Sequence, residues 1–558
     1  MSKKQGKNQP LQKQTKSTRP PAASTFDWNR IQMILQAAVI IIGFFIVYNY
    51  ISDKKVSVNG DNAYYYLLGK SIHEGKGYTY AFDQSHRAVD TYPPGYPFLL
   101  SILMFISKDI TVLSMFSGAL LLVSLLLLVR LFKQMEIPWQ ISLVTALLVL
   151  CNYHVAGYAI TTLSEVPYLL FTLLTLLVLT KLDTSASLLR DWRFYAMILL
   201  LVFTYYIRST GLALMAGIVF YLITQRRWKE SIVTATIFIA LGSIWIIRGK
   251  VLEIPSAYRE AVVKINPYQP EKGNVNFDSM VVRVGDNLNR YVSKEIPSSM
   301  VPSILVNYKE PAGSGSWMLG FFFIALTLYG WWRLPRYKWL VAGYFIATFG
   351  ILMLWPKQWF GTRFMMSLIP FMTMLVLYAL YDLLTILLKN INKSWAFPGL
   401  LFLPLILLYL KPLQEAPADN QNWQSYPLNR LHYTGILDYQ PNWKNYFALA
   451  KWAKENTSKE AVIACRKPEL FHLYADRYTC YFPFEKDLDK FIDGLKKEKV
   501  THVVVDQLGF RQTGDYLVTA LNARPHHFKV LQQLTDPDSW LLEFIPDAVA
   551  PVVPVPGK

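Results

Sequence analysis

Long apolar stretches separated by short polar turns dominate the first three quarters of this chain. They recur near 31–51, 110–131, 139–157, 165–181, 194–208, 209–224, 231–249, 316–332, 339–355, 364–388 and 396–411. Roughly 20 apolar residues cross the hydrocarbon core of a bilayer. The pattern therefore predicts a mainly α-helical, polytopic membrane protein of about eleven transmembrane helices. The two stretches flanking Arg208 are short for spans, and 95–107 is shorter still, which suits a juxtamembrane or re-entrant helix. Beyond about residue 413 the pattern changes. Helix-like runs (NYFALAKWAKEN, DLDKFIDGLKK) alternate with strand-like ones (AVIAC, RYTCYF, THVVVD), which predicts a small α/β domain with a largely parallel sheet over 413–545. The expected layout is a basic disordered tail at 1–30, a membrane domain at 31–412 with outward loops 52–95 and 250–315, the α/β domain, and a disordered tail at 546–558. No internal repeat is visible.

Composition agrees with the pattern: 53% of the 558 residues are hydrophobic and 15% aromatic. The net charge of +18 invites a nucleic-acid reading, but its placement excludes one. Lys and Arg cluster before the first span and then in RLFK at 130–133, in 181–193, in QRRWK at 225–229, in RLPRYK at 333–338 and in KNINK at 389–393. These are alternate loops, as the positive-inside rule requires. The first span has no cleavage site after it and reads as a permanent anchor. The N-terminus is then cytoplasmic and, with an odd number of spans, the C-terminal domain lies outside, in a periplasm- or ER-lumen-like space, with the inner (cell) membrane as the expected location. Cys151 falls in a span. Cys465 and Cys480 follow strand-like runs and are either a disulfide pair or two buried thiols. No Cys/His array suggests a metal.

Candidate chemistry gathers where spans meet the outer face. In VNGDNAYYYLLGKSIHEGKGY, residues 58–78, Asp61 is either a helix cap or a general base for an acceptor hydroxyl, and the two are compatible. Tyr64, Tyr65, Tyr66 and Trp359 fit an interfacial aromatic belt, with sugar stacking as the alternative. Asp90 and Tyr92 precede the Pro93–Pro94–Gly95 turn, and Glu74 closes the first motif. Glu165, in TTLSEVPYLLFTLL, opens a span. It is either a favourable charge at a helix N-terminus or an acid that binds a substrate hydroxyl, assists Asp61 or shares a cation. Arg208, Lys357 and Arg363 oppose the positive-inside trend. They either snorkel or bind an anionic lipid head group.

Taken in order, GDNAYYYLLGKSIHEGKGY, YPPGYPFLLS, SEVPYLL, the Arg208 segment, GTRFMMSLIP and NWKNYFALAKWAKEN resemble the GT-C membrane glycosyltransferases. The branch they resemble is the protein O-mannosyltransferase and lipid A aminoarabinose transferase group. The resemblance spans about residues 30 to 545. It implies transfer of a sugar from a polyprenyl-phosphate carrier to an acceptor on the outer side of the membrane, with Asp61 as catalytic base. Many relatives carry paired acids where this chain has Asp61 and Asn62, which weakens any metal proposal. The second acidic motif maps onto Glu165.

The expected reaction is a single inverting displacement. Arg208, Arg363 and Lys357 would hold the donor phosphate, and Tyr64, Tyr65, Glu74, Asp90 and Tyr92 would form the substrate loop. No cofactor is required beyond the lipid-linked donor. The acceptor is a lipid, a glycan or a protein, membrane lipids surround the chain, and no nucleic acid is involved. A flippase for polyprenyl-linked sugars and a non-catalytic assembly subunit are the competing classes.

Overall fold

A computed structural model describes residues 28–52, 56–89, 91–182, 187–254, 256–269, 272–304, 306–387, 398–410 and 439–548. The tails expected at 1–30 and 546–558 lie almost wholly outside these residues, as do 413–438 at the start of the expected C-terminal domain. The chain is mainly helical, with a small sheet near its C-terminal end.

Four helices are long and apolar enough to cross a membrane: Arg30–Ile51, Ile110–Gln134, Trp228–Val251 and Ile369–Leu387. Trp139–Cys151 and Tyr153–Ile160 pass the same test as one span bent by 66°. The bend falls at Asn152, whose side chain accepts from His154 N at 3.0 Å and donates to Ser299 O at 2.8 Å. Glu165–Thr180, Trp192–Ile207, Gly211–Thr224 and Lys338–Leu354 are apolar but shorter than a full span. The expected count of eleven is therefore not reached on length and hydropathy among the described residues. Ser314–Arg333 is a helix, and the stretch expected at 396–411 begins as a 3-10 turn over Pro398–Leu405. These apolar helices mark an integral membrane protein.

The helices form because their runs are apolar all round and their ends are satisfied. Asp109 caps Ile110–Gln134 by accepting from Thr111 N at 2.7 Å, and Lys133 sits in its last turn. Close helix contact uses small residues. Gly330 of Ser314–Arg333 faces the Leu375 carbonyl of Ile369–Leu387 with no room for a side chain.

Helix Phe277–Arg290, inside the expected polar loop 250–315, is turned inside out. Phe277, Val281, Val282 and Leu288 are exposed, whereas Arg283 and Asn287 are buried. An apolar outward face suits a helix lying against lipid.

The C-terminal domain is a five-stranded mixed sheet in the order β2-β1-β3-β5-β4. Its strands are β1 Val462–Ala464, β2 Tyr478–Cys480, β3 His502–Val505, β4 Phe528–Leu534 and β5 Ser539–Phe544. β1, β2 and β3 are parallel; β5 and β4 complete the sheet antiparallel. The parallel half follows the sequence expectation, while the last two strands form a hairpin instead. Cys465 and Cys480 lie on neighbouring strand ends, with Cys465 N bonded to Cys480 O at 2.9 Å, and both thiols are free and buried.

This domain shares its core with the first loop. Val56, Val58 and Ala63 are buried together with Trp443, Phe447, Ile463 and Phe471. Tyr439 OH donates to Val56 O at 2.9 Å, and Thr479 N to Phe82 O at 2.9 Å. Tyr65, on the same short helix as Ala63, packs the other way with Tyr96, Leu113, Tyr168 and Ile207. Segment 56–89 is thus fixed from both sides.

Overpacking a close contact typically costs about 1–3 kcal/mol. Gly330→Ala should therefore lower the apparent melting temperature of the detergent-solubilised protein by several degrees. Gly285→Ala, where a methyl meets nothing, should leave it near wild type. Equal melting of the two variants would refute the close-contact reading.

Candidate active site

Asp61 is the first residue of helix Asp61–His73. The cap position is Gly60, at φ +97°, and no side chain caps the helix. The cap reading of Asp61 is thus replaced: its carboxylate turns to the protein instead. Oδ1 accepts from Tyr92 OH at 2.8 Å, and Oδ2 from Arg363 Nη2 at 3.0 Å. Asn62 does the local backbone work, accepting from Gly60 N at 3.1 Å, while its carbonyl receives Thr162 OH at 3.2 Å.

Glu165 opens helix Glu165–Thr180 and is 1% exposed. A buried carboxylate persists only if paired. Oε1 takes Arg208 Nη1 at 2.7 Å, Arg363 Nη2 at 2.8 Å and Arg363 Nε at 3.0 Å. Arg208 Nη1 also donates to Ser164 Oγ at 3.0 Å, which meets Tyr65 OH at 2.9 Å. Four residues far apart in sequence, Asp61, Glu165, Arg208 and Arg363, thereby form one continuous ionic cluster, with Tyr65 and Tyr92 at its edge. The Asp61 side chain is 32% exposed and Arg363 22%, so the cluster opens to solvent at the Asp61 end and is closed at Glu165.

The segment carrying Arg363 is held by its backbone. Asn287 Nδ2 donates to Met353 O and Trp355 O, both at 2.9 Å. Arg290 Nη1 donates to Lys357 O at 2.8 Å, and its guanidinium pairs with buried Glu295 at 2.9 Å. Thr362 Oγ1 meets His154 Nδ1 at 2.8 Å. The inward polar face of the inverted helix thus anchors the backbone that leads to Arg363. These residues were not singled out from sequence. The spacing that would reveal them is Arg283, Asn287 and Arg290, one helical face of polar residues in a stretch read as loop.

The remaining candidates lie elsewhere. Lys357 pairs with Asp286 at 3.5 Å, is 57% exposed, and makes no bond to the cluster among the described residues. Glu74, at the far end of helix Asp61–His73, pairs with Lys76 at 2.7 Å and Lys70 at 3.9 Å; burial works to raise its carboxyl, but the two lysines hold it below the ordinary range. Asp90 lies outside the described residues. Tyr64 stacks on Tyr92 with centroids 5.2 Å apart, and its hydroxyl meets Tyr481 OH of the C-terminal domain at 3.0 Å. Among the described residues no group of three or more His, Cys, Asp or Glu comes together as a metal site.

No protein-family model matches the chain, and no curated protein matches it. Among solved structures, ArnT from Cupriavidus metallidurans in the apo state aligns at TM-score 0.50 and 13% identity, over 94% of this chain and 99% of that one. ArnT from the same organism bound to undecaprenyl phosphate aligns at TM-score 0.50 and 13% identity, over 93% and 99%. The arabinofuranosyltransferase AftD from Mycobacteria aligns over 92% of this chain and 41% of that one, at TM-score 0.42 and 10% identity. The ArnT likeness shows that this chain shares the overall fold of ArnT.

Removing one partner from a buried ion pair typically costs about 3–5 kcal/mol. Glu165→Ala should therefore depress folding yield and thermal stability sharply, because two guanidinium groups lose their shared carboxylate. Arg363→Lys should be milder than Arg363→Ala but short of wild type, since one ammonium cannot reproduce both contacts. Melting curves of the three variants check this, and a wild-type curve for Glu165→Ala would contradict it.

Proposed function

We propose that this protein is a glycosyltransferase of the membrane. It takes a sugar from a polyprenyl-phosphate carrier and passes it to an acceptor hydroxyl on the extracytoplasmic face. The observation that carries the reading is the partly open Asp61 carboxylate held by the Arg363 guanidinium, which in turn shares Glu165 with Arg208. Its support comes from a fold shared with ArnT, a protein seen bound to undecaprenyl phosphate.

In the proposed step the acceptor oxygen attacks the anomeric carbon from the face opposite the phosphate. The bond from that carbon to the phosphate oxygen breaks, and its electron pair leaves with the lipid phosphate. The acceptor proton passes to Asp61. A carboxylate offers about four acceptor positions, and Tyr92 and Arg363 occupy two of those on Asp61, so an oxygen lone pair remains for the proton. The guanidinium contacts described use Nε and Nη2 of Arg363 and Nη1 of Arg208. Each guanidinium carries five N–H donors, so both retain donors for an anion. Such donors stabilise the charge that grows on the leaving phosphate. A phosphate ester leaves readily, and the step is written without a metal. Lys357, paired with Asp286, takes no part in this step.

The direct test offers the purified protein a panel of synthetic polyprenyl-phosphate sugars and follows modified acceptor by mass spectrometry. Transfer from any of them supports the reaction, whereas a flippase or an assembly subunit would show none. Losing a general base typically costs ~100- to 10,000-fold in rate. Asp61 caps nothing, so Asp61→Asn should lower transfer by that order while expression and donor binding stay near normal. Retention of most of the rate would remove Asp61 as the base.

The proposed orientation has its own test. In intact cells, Asp489→Cys, at an 80% exposed side chain of the C-terminal domain, should react with an impermeant thiol reagent, and Ser2→Cys should not. The three native cysteines are buried and add little background. The reverse pattern would place Asp61 on the cytoplasmic side.

A further inference from the structure

β1 sits between β2 and β3, and the chain leaves β1 for β2 on one side before returning to β3 on the other. In open sheets such a reversal leaves a crevice beyond the carboxyl ends of the strands, the usual place for a ligand. The residues just past those ends are Arg466 and Lys467 after β1, Tyr481 after β2 and Asp506 after β3. This edge faces the Asp61 segment. Lys467 Nζ donates to Asn59 O at 3.0 Å, Tyr481 OH meets Tyr64 OH at 3.0 Å, and the Glu469 carboxylate lies against Gly60, leaving no room there for a side chain.

Two polar groups at this edge are unspent. Glu469 is 1% exposed, and neither of its carboxylate oxygens has a hydrogen-bond partner among the described residues; Lys467 stands 4.0 Å away. Burial raises the Glu469 carboxyl above its ordinary range, with Lys467 opposing the shift. The Arg466 guanidinium lies over Phe510 at 4.3 Å, with Phe484 at 5.7 Å and Tyr481 at 6.0 Å, and its buried Nε has no hydrogen-bond partner. Tyr481 and Phe484 are large aromatic side chains left 39% and 37% exposed. A buried polar group without hydrogen bonds is costly, and such groups gather where a ligand completes them.

We propose that this carboxyl edge of the sheet is the acceptor subsite, and that it takes a neutral, hydroxylated sugar ring. Hydroxyl groups donate to Glu469 and accept from Arg466, and the apolar face of the ring stacks on Tyr481. The name "acceptor" rests on the reaction proposed above; the carbohydrate site itself rests on the residues just described. The Tyr481–Tyr64–Tyr92 contacts link this edge to the Asp61 carboxylate, which places the proposed subsite on the side of the base.

The test uses the full-length protein in nanodiscs. Methyl β-D-glucopyranoside, methyl α-D-mannopyranoside and methyl β-D-galactopyranoside serve as probes in saturation-transfer NMR. At least one should bind the wild type. Arg466→Ala and Tyr481→Ala should weaken it about tenfold or more, as loss of a charge-assisted hydrogen bond or a stacking face implies. Glu469→Gln keeps the shape and should act in the same direction. In the transfer assay, the acceptor KM should rise by a similar factor in these variants, with donor KM unchanged. The subsite is overturned if no glycoside binds the wild type, if the variants bind like wild type, or if donor KM moves instead. Glycoside binding without transfer from any donor would sink the proposed reaction and leave the carbohydrate site standing.

Discussion

The Glu165 carboxylate governs this structure. A charge with 1% exposure must be compensated, and Glu165 meets that demand by gathering Arg208 from the end of one helix and Arg363 from a distant segment. Arg363 then reaches on to Asp61, so one buried acid brings together residues separated by up to 302 positions. Such a pair contributes little net stability, because desolvation consumes most of the attraction. What it supplies is position. Each guanidinium has a fixed fork, and two forks on one carboxylate leave little freedom in where Asp61 sits.

Position would be lost if the supporting segments moved, and two devices prevent that. On the Arg363 side, the inverted helix Phe277–Arg290 spends its polar face on carbonyl groups of 353–357. Its apolar face is left exposed, as suits a helix lying against lipid. On the Asp61 side, the C-terminal domain buries Val56, Val58 and Ala63 in its own core, and Lys467 grips Asn59. The α/β domain is therefore continuous with the loop that bears Asp61, and the boundary drawn near residue 413 separates elements that share one core.

Asp61, Glu165, Arg208 and Arg363 were legible in the sequence because charges at the apolar ends of helices stand out against their surroundings. The mixed sheet was half legible. β-branched runs separated by helical ones announce parallel strands, whereas β4, with Lys529, Gln532 and Gln533 on an exposed edge, carries little apolar signal. The helix at 277–290 was missed because its apolar residues face outward, and its composition reads as polar loop. Glu469 and Arg466 were invisible for a different reason. Nothing local distinguishes CRKPEL from any strand-to-helix turn. Its meaning comes from the sheet order, which carries that turn to Asn59 and Gly60 more than 400 residues back. The span count suffered from the same dependence on context: a helix of 14 or 16 residues enclosed by other helices need not match the bilayer thickness by itself.

The charge count of the cluster bears on how the proposed reaction would begin. Two carboxylates and two guanidinium groups balance, so the cluster is close to neutral as it stands. An arriving lipid phosphate adds negative charge to a site whose positive groups are already shared. Glu165 is enclosed and holds both arginines by one oxygen, while Asp61 is partly open and holds Arg363 through a single contact. The weaker claim is that of Asp61, because water and Tyr92 can still solvate its carboxylate whereas Glu165 has no such recourse. In the proposed sequence the phosphate meets the donors that Arg363 and Arg208 leave unused, and the Arg363 contact to Asp61 is kept. In that sequence Arg363 touches both the arriving phosphate and Asp61, and is the residue through which donor and base are joined.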